Sequence, residues 1–270
     1  MSLYGALNIC EEILTSKKYA TLYRPLVLRV CEAEYKKYSN DKDRIKGARN
    51  ALHAMYGAYL SADIYKKAGK LLDILITSEQ AGVKSNTLEQ ILRLHSSTKE
   101  RLRTLSDFYQ FIFDNIGKAD TVLDIGCGFN PFTLPFFPEG KPAKFYAMDI
   151  DERIADLNNR YLSALGMPAL AGCRDIAVDT PSVTADVAFL FKILPLIERQ
   201  AKGRSAKLLS EIKAQYLVVS YPTKSLSGKE KGMQAFYAAA FEEVIGGNLF
   251  ISAKKEIGTE LVYVLTKGKP

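Results

Sequence analysis

Apolar residues in the first third of the chain recur close to every 3.6 positions. Across the stretch containing YGALNICEEILTSKKY, Leu3, Ala6, Leu7, Cys10, Ile13 and Leu14 fall on one face and predict an amphipathic helix. RPLVLRVCEAEYKKY predicts a second helix, with Pro25 suited to its first turn. DRIKGARNALHAMYGAYL predicts a third, capped near Asn40 or Asp41. SADIYKKAGKLLDILI predicts a fourth, with Ser61 as its N-cap. A polar break over 77–86 follows, then helical patterns from Thr87 to Leu94 and from Ser97 to Ile116. From residue 119 the period changes. The short apolar runs TVLDIG, KFYAMDI, ALAGCRDI, VAFLFKIL and YLVVSYPT alternate with helical segments, as in βαβ units on a parallel sheet. LFISAKKEIGTELVYVL instead reads as two strands joined at Gly258, an antiparallel pair at one edge. This gives a helical domain over 1–76, a helical connector over 77–110 and an α/β domain over 111–270.

Charge sharpens this division. The 270 residues carry a net charge of +7. Residues 1–75 hold 13 Lys and Arg against 8 Asp and Glu, and the rest hold 24 against 22. A basic appendage on a nearly neutral body suggests a polyanionic partner, most simply nucleic acid, although a solvated surface gives the same count. An apolar fraction of 47% is ample for a core. No apolar run approaches the ~18 residues of a membrane span, and the N-terminus does not read as a signal peptide. Cys10, Cys31, Cys127 and Cys173 are scattered, and His53 and His95 are the two histidines, so neither a zinc site nor a disulfide framework is expected and a cytoplasmic setting fits.

The chemistry-bearing stretch is TVLDIGCGFNP, residues 121–131. A strand entering a Gly-x-Gly turn lets backbone approach a nucleotide cofactor, and Gly126 and Gly128 are those glycines. Pro131 stands where a dinucleotide fingerprint has its third glycine. Asp149 ends the next strand 21 residues later, where a carboxylate meets ribose hydroxyls of either NAD or S-adenosylmethionine. Asp124, ahead of the glycines, would repel a pyrophosphate but suit an ammonium or sulfonium. Asp175 at the third strand could accept from an adenine amino group. Both acids could instead cap following helices. Together with the terminal antiparallel pair, these features favour S-adenosylmethionine.

Several stretches then line up with one family. LHSSTKERL, DIGCGFNP, FKILPLIER, YPTKSLSGKEKGM and GTELVYVL, in this order, resemble the aminoglycoside-resistance methyltransferases that act on guanine N7 in the decoding region of small-subunit ribosomal RNA. LTSKKY and H-x-x-Y-G-A-Y extend the similarity through nearly the whole chain. The resemblance implies a class I S-adenosylmethionine-dependent methyltransferase. Its Rossmann-like sheet would have seven strands, mostly parallel with the last antiparallel, behind an all-α N-terminal extension that docks on RNA. The substrate would be the assembled small subunit, with a monomeric enzyme and no metal.

The resemblance also assigns residues. Arg101 would clamp the methionine carboxylate of the cofactor, unless it is a helix-surface arginine paired with Glu100 or Asp107. Gly126 and Gly128 would admit the cofactor, Asp149 would hold its ribose, and Asp175 with Ile176 its adenine. Lys192 and Glu198 would frame the methyl-transfer site, with Glu198 equally able to serve as a helix N-terminal acid, and Glu260 would support the site from the last hairpin. Lys17, Lys18, Arg49, Lys66, Lys67 and Lys70 would meet phosphates. Lys224, Lys229, Lys231 and Met233 would grip RNA beside the target base. Here the chain departs from the family: MQAFY replaces the expected Met-Glu-x-Asn-Tyr, so Phe236 or Tyr237 is either a stacking platform or helix core. Rival readings are an adenine-N1 methyltransferase of the same region, a small-molecule methyltransferase and a non-catalytic ribosome-binding protein.

Overall fold

The computed structural model describes residues 2–56, 62–223, 241, 245 and 249–268. Three helices, α1 (Ser2–Leu14), α2 (Arg24–Lys37) and α3 (Asp41–Tyr56), open the chain. Their stripes meet in a core of their own that includes Ile13, Leu26, Val27, Cys31 and Leu52. Pro25 sits in the first turn of α2. The Asp43 amide donates to Asn40 Oδ1 at 2.9 Å, so Asn40 caps α3.

Helix α4 (Ala62–Thr77) belongs elsewhere. Its Tyr65, Ala68 and Leu72 enter the core of the α/β body. Apolar packing thus places α4 with the body, while α1–α3 share a core of their own. The break expected over 77–86 shrinks to Ser78–Gln80, because α5 (Ala81–Leu92) starts earlier than its apolar pattern. Its first turns are exposed, and burial begins at Thr87. The helix expected from Ser97 to Ile116 divides into α6 (Ser96–Arg101), a 3₁₀ turn (Leu102–Thr104) and α7 (Leu105–Ile116).

The body is a seven-stranded sheet of order β3-β2-β1-β4-β5-β7-β6. Its strands are β1 (Thr121–Ile125), β2 (Lys144–Asp149), β3 (Ala171–Cys173), β4 (Thr184–Phe191), β5 (Lys213–Pro222), β6 (Leu249–Ile257) and β7 (Glu260–Lys267). The first five pair in parallel, and β7 runs antiparallel between β5 and β6. Alternation along the central strands serves two cores. Val122, Phe189, Val218 and Val264 face α4, α5, α7 and α8 (Glu152–Ala164). Leu123, Leu190, Val219 and Leu265 face α9 (Leu194–Gln200) and α10 (Arg204–Glu211). Such burial on both faces explains the near-continuous apolar runs of a parallel sheet. After β1 the chain forms a 3₁₀ helix, Asn130–Phe136, with two prolines, where a longer helix would follow a dinucleotide loop.

Two consequences place the site. The order reverses beside β1, so a crevice opens at the carboxyl ends of β1, β2 and β4. Because β7 is antiparallel, its first residue, Glu260, lies opposite Pro222 at the end of β5, on that same edge. The helical extension closes the crevice from outside. The Tyr23 amide donates to the Ile150 carbonyl at 2.8 Å, and the Glu152 amide donates to the Thr21 carbonyl at 2.9 Å. Among the described residues no helix is long and apolar enough to cross a membrane.

Candidate active site

A cavity of about 720 Å³ occupies this crevice. Its floor is the loop after β1, which is latched to β2: the Gly126 and Cys127 amides both donate to the Met148 carbonyl. Gly126 (φ +70°) and Gly128 (φ +48°) adopt left-handed backbone. A Cβ on Gly126 would lie 2.9 Å from Ile193, and one on Gly128 would lie 2.8 Å from the His95 ring. Glycine is therefore required here by both conformation and space. Asn158 on α8 supports the loop by donating to the Gly128 carbonyl at 3.0 Å.

Two acids stand over the floor. Asp149 ends β2, and its carboxylate accepts from the Gly128 amide at 2.9 Å and the Ile150 amide at 2.7 Å. Burial raises its pKa to about 6, against the pull of those two amides. Asp124 on β1 is buried too, and desolvation raises its pKa to about 7 although Asn130 donates to it at 2.8 Å. An apolar setting that penalises negative charge would favour ionised carboxylates again once a cation or hydroxyl donors arrive.

Beyond Asn130 lies a buried charge network. Arg101 Nε and Nη2 donate in a fork to Glu260 Oε1 and Oε2 at 2.9 and 3.1 Å, and Nη1 donates to Asn130 Oδ1 at 3.1 Å. The guanidinium packs against the rings of Phe108 and Phe191, their centroids 4.4 and 4.8 Å away. Lys192 Nζ lies 3.0 Å from Glu260 and 2.7 Å from Glu100. Ser220 Oγ donates to Glu260 at 2.7 Å. Burial of Glu260 opposes its charge, but Arg101 and Lys192 outweigh it and its pKa is lowered. Lys192 holds this place with φ +59°, the one positive φ among described non-glycine residues. His95 lies against the Phe129 ring at 5.5 Å, and burial lowers its pKa to about 4.

The expected residues are thus gathered unevenly. Arg101, Asp124, Gly126, Gly128, Asp149, Asp175, Ile176 and Lys192 line one cavity. Glu260 stands directly behind Arg101 and Lys192. Arg101 is no surface arginine, but the bidentate fork expected for a cofactor carboxylate is taken by Glu260. What it can offer a ligand comes from Nη1. Asp175 is engaged by Arg29 of α2, whose Nε and Nη2 donate to it at 2.5 and 3.1 Å. Glu198 does not join the lining residues. Its carboxylate accepts from the Gly203 amide at 2.5 Å and the Ser205 amide at 3.1 Å, capping the start of α10. Lys17, Lys18, Arg49, Lys66, Lys67 and Lys70 are all exposed. The first three lie on or near α1–α3 and the last three on α4, on the body. Lys224, Lys229, Lys231, Met233, Phe236 and Tyr237 lie outside the described residues.

Sequence reasoning passed over Asn130, Tyr109, Ser220 and Arg29. Asn130 had a usable signal, since a residue two after Gly-x-Gly must sit near the strand-end acid. Tyr109 donates to Asn130 at 2.9 Å from inside α7, where it reads as ordinary core. Among the described residues no group of three or more His, Cys, Asp or Glu gathers as metal ligands would.

Likeness to known proteins bears on this site. The 16S rRNA (guanine(1405)-N(7))-methyltransferase of Serratia marcescens is 35% identical over 258 residues, covering 94% of this chain and 96% of its own. That of Micromonospora echinospora is 31% identical, covering 95% of each chain. Among solved structures, the 16S rRNA methyltransferase RmtF in complex with S-adenosyl-L-homocysteine superposes with a TM-score of 0.87 at 32% identity, over 97% of this chain and 98% of its own. The 16S rRNA methylase RmtB superposes with a TM-score of 0.83 at 31% identity, over 97% and 98%. The family model for ribosomal RNA methyltransferase (FmrO) matches residues 15–264. With a crevice of this shape on a sheet of this order, the chain belongs to the FmrO family of ribosomal RNA methyltransferases.

Proposed function

We propose that this protein transfers a methyl group from S-adenosylmethionine to N7 of a guanine in the decoding region of small-subunit ribosomal RNA. The observation that carries the reading is the crevice, where two glycines that admit no Cβ lie beneath two desolvated carboxylates. The donor set fits the cofactor: Asp149 for ribose hydroxyls, Asp124 for the cationic end, and Ile176 with Asp175 at the adenine. Arg101 would give the methionine carboxylate one N–H from Nη1, while Glu260 holds the guanidinium rigid. S-adenosylmethionine supplies an electrophilic methyl on its sulfonium.

Guanine N7 carries a lone pair and no proton, so its methylation needs no general base. That suits a cavity whose histidine, His95, is buried and whose lysine is tied to two carboxylates. What remains for the protein is alignment and the exclusion of water. Lys192, between Glu100 and Glu260 at the rim, would orient the incoming base or its phosphate. N7 lies in the deep groove of A-form RNA, so the base must be extruded or the helix distorted to reach the crevice. The exposed Lys17 and Lys18 after α1, Lys66, Lys67 and Lys70 of α4, Arg49 of α3, and Lys224, Lys229, Lys231 and Met233 would meet the surrounding RNA. A methyl at that edge would obstruct aminoglycosides and so confer resistance. We take the substrate to be the assembled subunit, the enzyme to act as a monomer without metal, and the setting to be the cytoplasm.

The test is primer extension on small subunits incubated with the protein and S-adenosylmethionine. The expected result is one new stop that requires reductive cleavage, the signature of 7-methylguanosine. A stop without cleavage would instead place the methyl on a Watson–Crick edge, as in adenine-N1 modification. Loss of the stop when naked RNA replaces subunits would support the assembled substrate.

A further inference from the structure

One side chain of the helical extension ties together two residues that line the cofactor crevice. Arg29 lies on α2 and does not itself line the cavity, but its guanidinium bridges Asp175 and Gln200, which do. Nε and Nη2 donate to the two oxygens of Asp175, and Nη2 also donates to Gln200 Oε1 on α9 at 2.9 Å. Asp175 is nearly inaccessible, its side chain 4% exposed, while that of Arg29 is 26% exposed. The Ala177 amide adds a long contact to Asp175 Oδ1 at 3.3 Å. Leu26, one turn before Arg29, lines the same cavity with Met55 and Tyr56 of α3. Two helices of the extension, α2 and α3, therefore build part of the pocket wall.

We infer that Arg29 is a positioning residue for recognition of the adenine end of the cofactor, acting through Asp175. The inference rests on the reading that Asp175 accepts from the adenine amino group. A carboxylate has about four acceptor positions, and a fork from one guanidinium fixes its plane while leaving positions free on the pocket side. Arg29 thus holds Asp175 as an oriented, acceptor-only group, which selects a 6-amino purine over a 6-oxo one. Without it, a buried carboxylate loses its charge partner and its fixed plane. Because Arg29 sits on α2, the seating of the extension on the body bears directly on cofactor recognition.

The experiment measures binding of S-adenosylhomocysteine and its hypoxanthine analogue, in which a carbonyl replaces the amino group, to the full chain by calorimetry. The wild type should prefer the adenine compound. Arg29→Ala should weaken it by about tenfold or more, the scale of one charge-assisted hydrogen bond, and should compress the preference toward unity. Arg29→Lys keeps a cation but no fork and should fall between the two. A folded Arg29→Ala or Arg29→Lys that retains the full wild-type preference would overturn the role of Arg29 while leaving Asp175 at the adenine. A wild type that binds both compounds equally would remove Asp175 from the adenine, and the inference with it. Loss of affinity for both compounds in proportion, with the preference intact, would reduce Arg29 to a structural tie and also overturn the inference.

Discussion

Arg101 and Lys18 are both cations on the helical side of this molecule, and their surroundings could hardly differ more. Arg101 is 3% exposed, forked onto one carboxylate, bonded to Asn130 and held against two aromatic rings. Lys18 is exposed, with His53 Nδ1 at 3.1 Å and a ring face 5.4 Å away. In the first setting every donor has a fixed direction, and charge acts through geometry. In the second, charge acts through a field that water and salt attenuate. Position in the crevice is therefore set residue by residue, whereas the basic surface is a sum over many residues.

The sharpest break in that contrast would come at Glu260. It is the carboxylate shared by two cations, so Glu260→Ala leaves Arg101 without its fork and Lys192 with only Glu100. Denaturant titration should show a loss of about 3–5 kcal/mol, and methylation of subunits should vanish. Arg101→Ala should cost less stability, since Lys192 still balances Glu260; the reverse order would mean that Lys192 does not share the charge. Gly128→Ala comes next. It places a Cβ against the His95 ring at left-handed φ, and calorimetry should show S-adenosylhomocysteine binding weakened roughly tenfold, for strain of order 1–3 kcal/mol.

A smaller and graded effect should follow pH. Burial raises the pKa of Asp124 to about 7 and that of Asp149 to about 6, both above the ordinary aspartate value of 3.8. A carboxylate raised on folding binds protons more tightly in the native state, so its contribution to unliganded stability is full below 3.8 and is lost as pH rises through 6 to 7. The cofactor's cation and ribose hydroxyls favour the ionised forms. Affinity for S-adenosylhomocysteine should therefore climb over the same interval, with proton release visible as a buffer-dependent binding heat. Flat affinity across that interval would mean that the two acids are already ionised without ligand.

The exposed surface should respond least per residue. Removing charge at Lys18, Arg49, Lys66 and Lys67 should weaken subunit binding together, each lost phosphate contact lowering the salt slope by roughly 1. Affinity for S-adenosylhomocysteine should stay unchanged, since none of the four lines the crevice. A quadruple variant with wild-type salt slope would leave the excess charge as surface solubility alone.

The contrast also explains what could be read in the sequence. The strands at TVLDIG and VAFLFKIL were legible because burial on both faces writes continuous apolar runs, and Asp149 because its spacing from Gly128 follows from a strand and a crossover. The early start of α5 is not legible, since its first turns are exposed and carry no apolar period. The three-residue β3 gives too short a run to bound. The sequence marks Arg101 and Glu260 separately but not as partners: they lie 159 residues apart and meet only because β7 runs antiparallel. Arg29 and Asp175 are separated by 146 residues and their neighbours Leu26 and Ile176 pack into different cores, so no local pattern joins them.

Lys192 carries a last consequence. Its left-handed φ of +59° strains a side-chain-bearing residue by about 1–3 kcal/mol, held in place by the Lys192 amide donating to the Ser220 carbonyl at 2.9 Å and by two carboxylates at the end of its side chain. Glycine or asparagine would relax that backbone, at the loss of the ammonium group. A library screened for heat resistance and one screened for growth on aminoglycosides should then diverge at this codon, the first drifting away from lysine and the second retaining it.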